Sequence, residues 1–203
     1  MQQEGLLIVV SGPSGAGKGT ICKRLLEENP SLGYSISATT RAPRTGEVNG
    51  VNYWFLSKEE FQEMIAQDGL LEWAEVYGNY YGTPAQKVRE SLAQGKNIVL
   101  EIDTQGAALV REKFPDGVYI YILPPSLEEL KRRIIGRGTD SAESIERRLS
   151  CAREEMGCVS EQYNYLVLND EVELAVDRIE AIIEAEKYQV KRSLGLLRAV
   201  CGE

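Results

Sequence analysis

The sequence predicts an α/β fold, a parallel sheet flanked by helices with a structured insertion, and three observations carry that reading. Four short apolar runs rich in Val, Ile, Leu or Tyr stand at residues 6–10, 98–103, 118–123 and 165–169, as strands buried on both faces require. Segments with helical apolar spacing separate most of them, the alternation of a parallel sheet. The first run passes straight into a glycine-rich loop and then a helical pattern, the strand, loop and helix order of a phosphate-binding unit.

That loop reads Gly12-Pro13-Ser14-Gly15-Ala16-Gly17-Lys18-Gly19-Thr20, with Ile21, Leu25 and Leu26 behind it at helical spacing. Gly12, Gly15 and Gly17 let the backbone curl with its N–H groups turned inward, an anion nest at the positive end of a helix. Lys18 adds a mobile charge for outer phosphates. A strict pattern places Ser or Thr directly after the lysine. Gly19 holds that place here, so no direct protein ligand for a metal is assured, and Thr20 is expected to contact a phosphate.

Residues 34–95 differ in texture, with tyrosine-rich extended pieces at 52–56 and 72–81, and read as an inserted lobe. Inside it Ser57-Lys-Glu-Glu60 forms a capping box ahead of Phe61, Met64 and Ile65, so the lobe is structured. A second capping box, Ser126-Leu-Glu-Glu129, starts a helix whose stripe is Leu127, Leu130 and Ile134. Gly136-Arg137-Gly138 then precedes a helix bearing Arg147 and Arg148, the composition of a mobile lid. Residues 172–194 carry Val172, Ala175, Ile179, Ile182 and Ile183 as one core-packing helix.

At 203 residues the chain fits one core fold with inserted subdomains. Its 23 basic and 31 acidic residues leave a net charge of −8, which disfavours nucleic acid and anionic membrane and favours small-molecule partners. The five-residue run at 6–10 falls short of a signal-peptide core or a membrane span, and a cytoplasmic protein is expected. The four cysteines lack paired metal or redox spacing and read as thiols. With no histidine, the commonest general base and metal ligand are missing, so chemistry must work by other means.

The insertion holds Ser37-Ala-Thr-Thr-Arg41-Ala-Pro-Arg44, Gly46-Glu47, Asn49-Gly50 and Tyr53, then Glu72-Trp73-Ala74 and Gly78-Asn79-Tyr80-Tyr81-Gly82-Thr83. With the glycine-rich loop, Glu101-Ile102-Asp103, Gly136-Arg137-Gly138 and Val167-Leu168-Asn169-Asp170, these segments in this order resemble the guanylate kinase family as far as about Asp170. The resemblance implies a P-loop NTPase core at 1–33, 96–135 and 156–203, a mixed α+β GMP-binding lobe at 34–95 and a helical lid at 136–155. It implies phosphoryl transfer from ATP to GMP, with Mg2+ accompanying ATP. Residues Gly12 to Thr20 and Asn169 then serve ATP. Arg41, Arg44, Tyr53 and Tyr81 hold the GMP phosphate, while Ser37, Glu72 and Thr83 read guanine. Lys18, Arg137 and Arg148 stand at the transferring group, with Arg133 next; Arg132 and Arg147 read as solvated. Asp103 has three readings: orienting magnesium waters, touching the guanine amino group, or capping the helix at 104–113. The Gly-Lys-Gly-Thr form also resembles the loop of adenylate kinases, whose metal is held largely through water and nucleotide oxygens.

The residue chemistry agrees. Two arginines flanking a proline offer guanidinium forks to a phosphate, and tyrosine hydroxyls add neutral donors. A carboxylate accepts from guanine N1–H and the 2-amino group, whereas adenine presents an acceptor at N1 and repels it. Competing readings are a phosphopeptide-binding scaffold, against which Lys18 and the lid arginines stand, and a kinase for another nucleotide, against which Glu72 and Thr83 stand. A GTPase lacks its Asn-Lys-x-Asp motif here. The pattern allows self-association and specifies none.

Overall fold

The computed structural model describes residues 4–76, 78–136, 142–157 and 159–202. In chain order, β1 (Leu7–Ser11) leads through α1 (Lys18–Glu28) to β2 (Gly33–Tyr34). Then come β3 (Ala38–Thr39), β4 (Trp54–Phe55), α2 (Lys58–Ala66), β5 (Leu70–Val76), β6 (Asn79–Pro84) and α3 (Ala85–Ala93). Next are β7 (Ile98–Glu101), α4 (Thr104–Lys113), β8 (Val118–Leu123) and α5 (Leu127–Ile135). The described chain closes with α6 (Ala142–Gly157), α7 (Val159–Gln162), β9 (Tyr165–Leu168), α8 (Val172–Lys187) and α9 (Val190–Cys201).

Strands β2-β7-β1-β8-β9 form one sheet, parallel throughout. Successive side chains of a strand face opposite ways, so β1 divides its residues between two cores. Ile8 and Val10 join Ile120, Ile122 and Val99 under α1 and α8. Leu7 and Val9 join Leu100, Tyr119 and Tyr121 under α3 and α4. This two-sided burial is why the runs are continuously apolar. The neighbours of β1 are β7 and β8, so the chain leaves the middle of the sheet in both directions. A crevice opens at the carboxyl end of β1, where open α/β sheets bind ligands.

The insertion forms a second sheet, β4-β3-β6-β5, in which β5 and β6 are an antiparallel hairpin turning at Gly78, φ +75°. The extended piece expected at 72–81 is thus two strands, and the piece at 52–56 is a strand at Trp54 and Phe55 with a single bridge from Tyr53 to Asn49. Phe61 of α2 stacks on Tyr80 and fills the small core with Ala38 and Leu70. The Ser57 capping box is complete, with Glu60 N–H on Ser57 Oγ at 3.1 Å and Ser57 N–H on Glu60 Oε2 at 2.7 Å.

Three expectations change. Ser126 accepts from Glu129 N–H, but the Glu129 carboxylate turns to Arg132 and Arg133, so this box is half made. The run at 98–103 stops pairing as a strand at Glu101, because Asp103 is the N-cap of α4. The single helix expected at 172–194 breaks at Tyr188 and Gln189 into α8 and α9. Buried Glu186 stands just before the break and accepts from Tyr165 Oη at 2.6 Å, Gln189 Nε2 at 2.6 Å and Arg192 Nε at 3.1 Å; Arg192, six residues on, would lie off that face of an unbroken helix and reaches it across the turn.

Candidate functional site

The glycine-rich loop is shaped by contacts that leave no room for side chains. Gly12, Gly15 and Gly17 have φ of +148°, +93° and +95°, a region L residues avoid. A Cβ on Gly12 would lie 2.5 Å from Ile122 O, and one on Gly17 would lie 2.3 Å from Asn169 Nδ2. The loop is held from outside through the Ala16 carbonyl, which accepts from Asn169 Nδ2 at 2.6 Å and Arg133 Nη1 at 3.3 Å. Asn169, only 3% exposed, is therefore part of the wall that fixes the loop. Pro13, Ser14 and Gly15 complete the curl that delivers Lys18 to the start of α1, and Gly19 and Thr20 are exposed on its first turn.

Ser14, Gly15, Gly17, Lys18, Gly19, Thr20, Lys23 and Glu101 line an open cleft of about 600 Å³. Lys18 Nζ donates to Gly12 O at 2.6 Å and Pro13 O at 3.2 Å, folded back along the loop. Burial lowers the Lys18 pKa, while the carboxylates of Glu101, Glu155 and Asp103 pull it back up. Burial likewise raises Glu101, with Lys18 and a hydrogen bond from Tyr34 opposing it. The cleft thus pairs a partly desolvated cation with carboxylates, an arrangement that strengthens electrostatic work on a phosphoryl group.

On the insertion, Arg41 makes a bidentate pair with Glu47, Nη2 to Oε1 at 2.9 Å and to Oε2 at 3.0 Å, and packs near the rings of Tyr53 and Phe55. Glu47 also accepts the Arg44 N–H at 2.7 Å, so one carboxylate ties together both arginines' segment. The hydrogen bond from Arg41, followed by that from Arg44, keeps Glu47 below the ordinary carboxylate range. Tyr53 and Tyr81 meet edge to face at 6.1 Å beside this pair.

Deeper in the same lobe, Thr83 is fully buried and its Oγ1 donates to Glu72 Oε1 at 2.6 Å. Burial raises the Glu72 pKa, and the Thr83 bond opposes that rise. Ser37 is half-buried on the segment entering β3, and its carbonyl accepts the Trp54 N–H at 2.9 Å. Asp103 Oδ1 accepts the Gly106 N–H at 2.7 Å, so its capping reading is realised. Its charge acts on both Lys18 and Glu72, linking the loop to the lobe.

Arg148 is half-buried on α6, Arg147 is exposed, and Arg132 is exposed and paired with Glu129. Arg137 and Gly138 lie outside the described residues, as does Cys158, while Gly136 is the C-cap of α5. Sequence reading passed over two residues. Glu47 was visible as an acid three residues past Arg44. Glu155 was visible as an acid three residues past Ala152 and four before Val159, on the apolar side of α6, and burial raises its pKa while Lys18 opposes the rise. Among the described residues no helix is long and apolar enough to cross a membrane, and no cluster of three or more His, Cys, Asp or Glu could hold a metal.

The guanylate kinase family model matches residues 4–186. A guanylate kinase of Caldanaerobacter subterraneus is 59% identical over 196 residues, covering 97% of this chain and 95% of the relative. One from Clostridium perfringens is 62% identical over 188 residues, covering 93% and 87%. The crystal structure of guanylate kinase from Anaplasma phagocytophilum superposes with a TM-score of 0.75 at 34% identity, covering 97% of this chain and 95% of that one. Family match, identity and fold agree over nearly the whole length, and the chain belongs to the guanylate kinase family.

Proposed function

We propose that this protein transfers the γ-phosphoryl group of ATP to GMP, yielding ADP and GDP. The observation that carries the reading is the Glu72–Thr83 pair, a half-buried carboxylate pinned at 2.6 Å by a fully buried hydroxyl in the lobe beside Asp103. With Thr83 supplying one hydrogen bond, the carboxylate keeps acceptor capacity for guanine N1–H and the 2-amino group. AMP would set the adenine N1 lone pair against it, an unpaired and repelled group of the kind polar sites reject strongly.

Arg41 and Arg44, with Tyr53 and Tyr81, take the GMP phosphate, while Glu47 holds Arg41 and the Arg44 backbone in place for it. The acceptor phosphate is already ionised and needs no base, in keeping with a chain that has no histidine. Transfer passes through a loose transition state, so the protein aligns the two nucleotides and offsets charge. Lys18 leaves its carbonyl partners for the outer phosphates of ATP. Arg137 and Arg148 approach from the lid at 136–155, and Asn169 lies toward the ATP ribose or base.

Gly19 has no hydroxyl, yet a Cβ there would lie 3.5 and 3.7 Å from the Glu101 carboxylate oxygens, so oxygen donors suited to a hard cation stand at this spot. Glu101 and Asp103 would hold Mg2+ through its waters. When bound, Mg2+ supplies charge neutralisation on the β- and γ-phosphates. We further propose that the lobe at 34–95 and the lid close over the core at 1–33, 96–135 and 156–203, excluding water. Small-angle scattering unchanged by both nucleotides would refute closure. The reaction is tested by ADP formation with ATP, Mg2+ and GMP, dGMP, AMP, UMP or no acceptor. Turnover dependent on GMP is expected; none with any acceptor, in a protein that still binds GMP, would favour a phosphopeptide scaffold.

A further inference from the structure

Gly106 stands in the first turn of α4, with ordinary helical backbone open to any L residue. Alanine is the better helix former at such a position, so a glycine there asks for a reason. The reason is room. A Cβ on Gly106 would stand 3.2 Å from Glu72 Oε2, 3.4 Å from Glu72 Cδ and 3.4 Å from Asp103 Oδ1. Glu72 has no easy retreat, because its other oxygen is held by Thr83 at 2.6 Å and Thr83 is fully buried. The Gly106 N–H meanwhile donates to Asp103 Oδ1 at 2.7 Å, so the backbone unit that leaves room for Glu72 is itself fixed by the neighbouring carboxylate.

We infer that Gly106 is a positioning residue for base selection: its missing side chain sets the depth at which Glu72 presents its second oxygen to the purine 2-amino group. The inference rests on the reading of Glu72 as the guanine acceptor. Since a pair of charge-assisted hydrogen bonds depends on angle as well as distance, moving the carboxylate by a few tenths of an ångström tilts it away from one donor. The group that suffers is the 2-amino group, which separates GMP from IMP; N1–H is common to both.

The test is steady-state kinetics of Gly106→Ala with GMP, IMP and ATP, together with thermal melting. The GMP KM is expected to rise about tenfold and the preference for GMP over IMP to fall about tenfold, as for one weakened polar contact. The ATP KM should stay within about twofold, and the melting temperature should change little, because the gain alanine brings to the helix opposes the crowding of its Cβ against Glu72. An unchanged GMP-over-IMP preference or an equal rise in ATP KM would overturn the inference, as would loss of a cooperative melt, which would make the effect one of folding. Glu72→Gln, measured alongside, separates the two failures. If it lowers the preference and Gly106→Ala does not, only the role of Gly106 is lost; if Glu72→Gln leaves the preference intact, the guanine reading falls and takes this inference with it.

Discussion

Replacing Glu72 with Gln changes one oxygen for an amide group and keeps the size. Thr83 Oγ1 donates to Glu72 Oε1 at 2.6 Å, so the glutamine must keep its oxygen on that side and turn its NH2 toward the base. Guanine then meets donor against donor. Losing a hydrogen bond to a charged group costs about 1.5–3 kcal/mol. At about 1.4 kcal/mol per factor of ten, kcat/KM for GMP falls roughly 10- to 100-fold. AMP gains nothing comparable, because adenine carries no 2-amino group and its N1 still faces the oxygen that Thr83 holds. The GMP/AMP preference therefore falls by roughly 10- to 100-fold, while the ATP KM holds. A coupled assay of ADP formation against each acceptor reads this directly. A variant with unchanged GMP/AMP preference would remove Glu72 from the recognition site and undo the argument from the Thr83 bond.

Lys18→Ala should lower kcat by about 10²–10³-fold, as loss of one charged donor to a transferring group does, with little change in melting temperature; near-normal turnover would refute the loop's role. Glu47→Ala releases Arg41 and the Arg44 segment from their shared anchor, so the GMP KM should rise several-fold with ATP KM unchanged, and a lower GMP KM would instead make Glu47 a competitor of the phosphate. Because burial raises the Glu72 pKa in the fold, the folded protein binds a proton that the unfolded chain has lost, and stability falls as pH rises through that window. Glu72→Gln should thus melt higher than the parent at about pH 8, and the gap should close toward about pH 4; a gap independent of pH would refute this origin.

What could be read in the residues themselves was whatever depends on nearby residues. The glycines at 12, 15 and 17 announce a curled loop because only glycine accepts those backbone angles, and the reciprocal Ser57 and Glu60 bonds span three residues. The apolar runs announced a doubly buried parallel sheet for the same reason: two-sided burial leaves no polar alternation to see. The motif order carried the family. Tertiary structure decided what distant segments do to one another. Asn169 finds the Ala16 carbonyl across 153 residues, and Glu186 gathers Tyr165, Gln189 and Arg192 where α8 gives way to α9. Gly106 becomes meaningful only when Glu72 is packed 3.2 Å from the place its side chain would fill. Backbone angles and caps are set by local sterics and hydrogen bonding, so they are written in the order of residues. Contacts between remote segments are set by how the sheet and its helices bring them together, and only the folded chain contains that information.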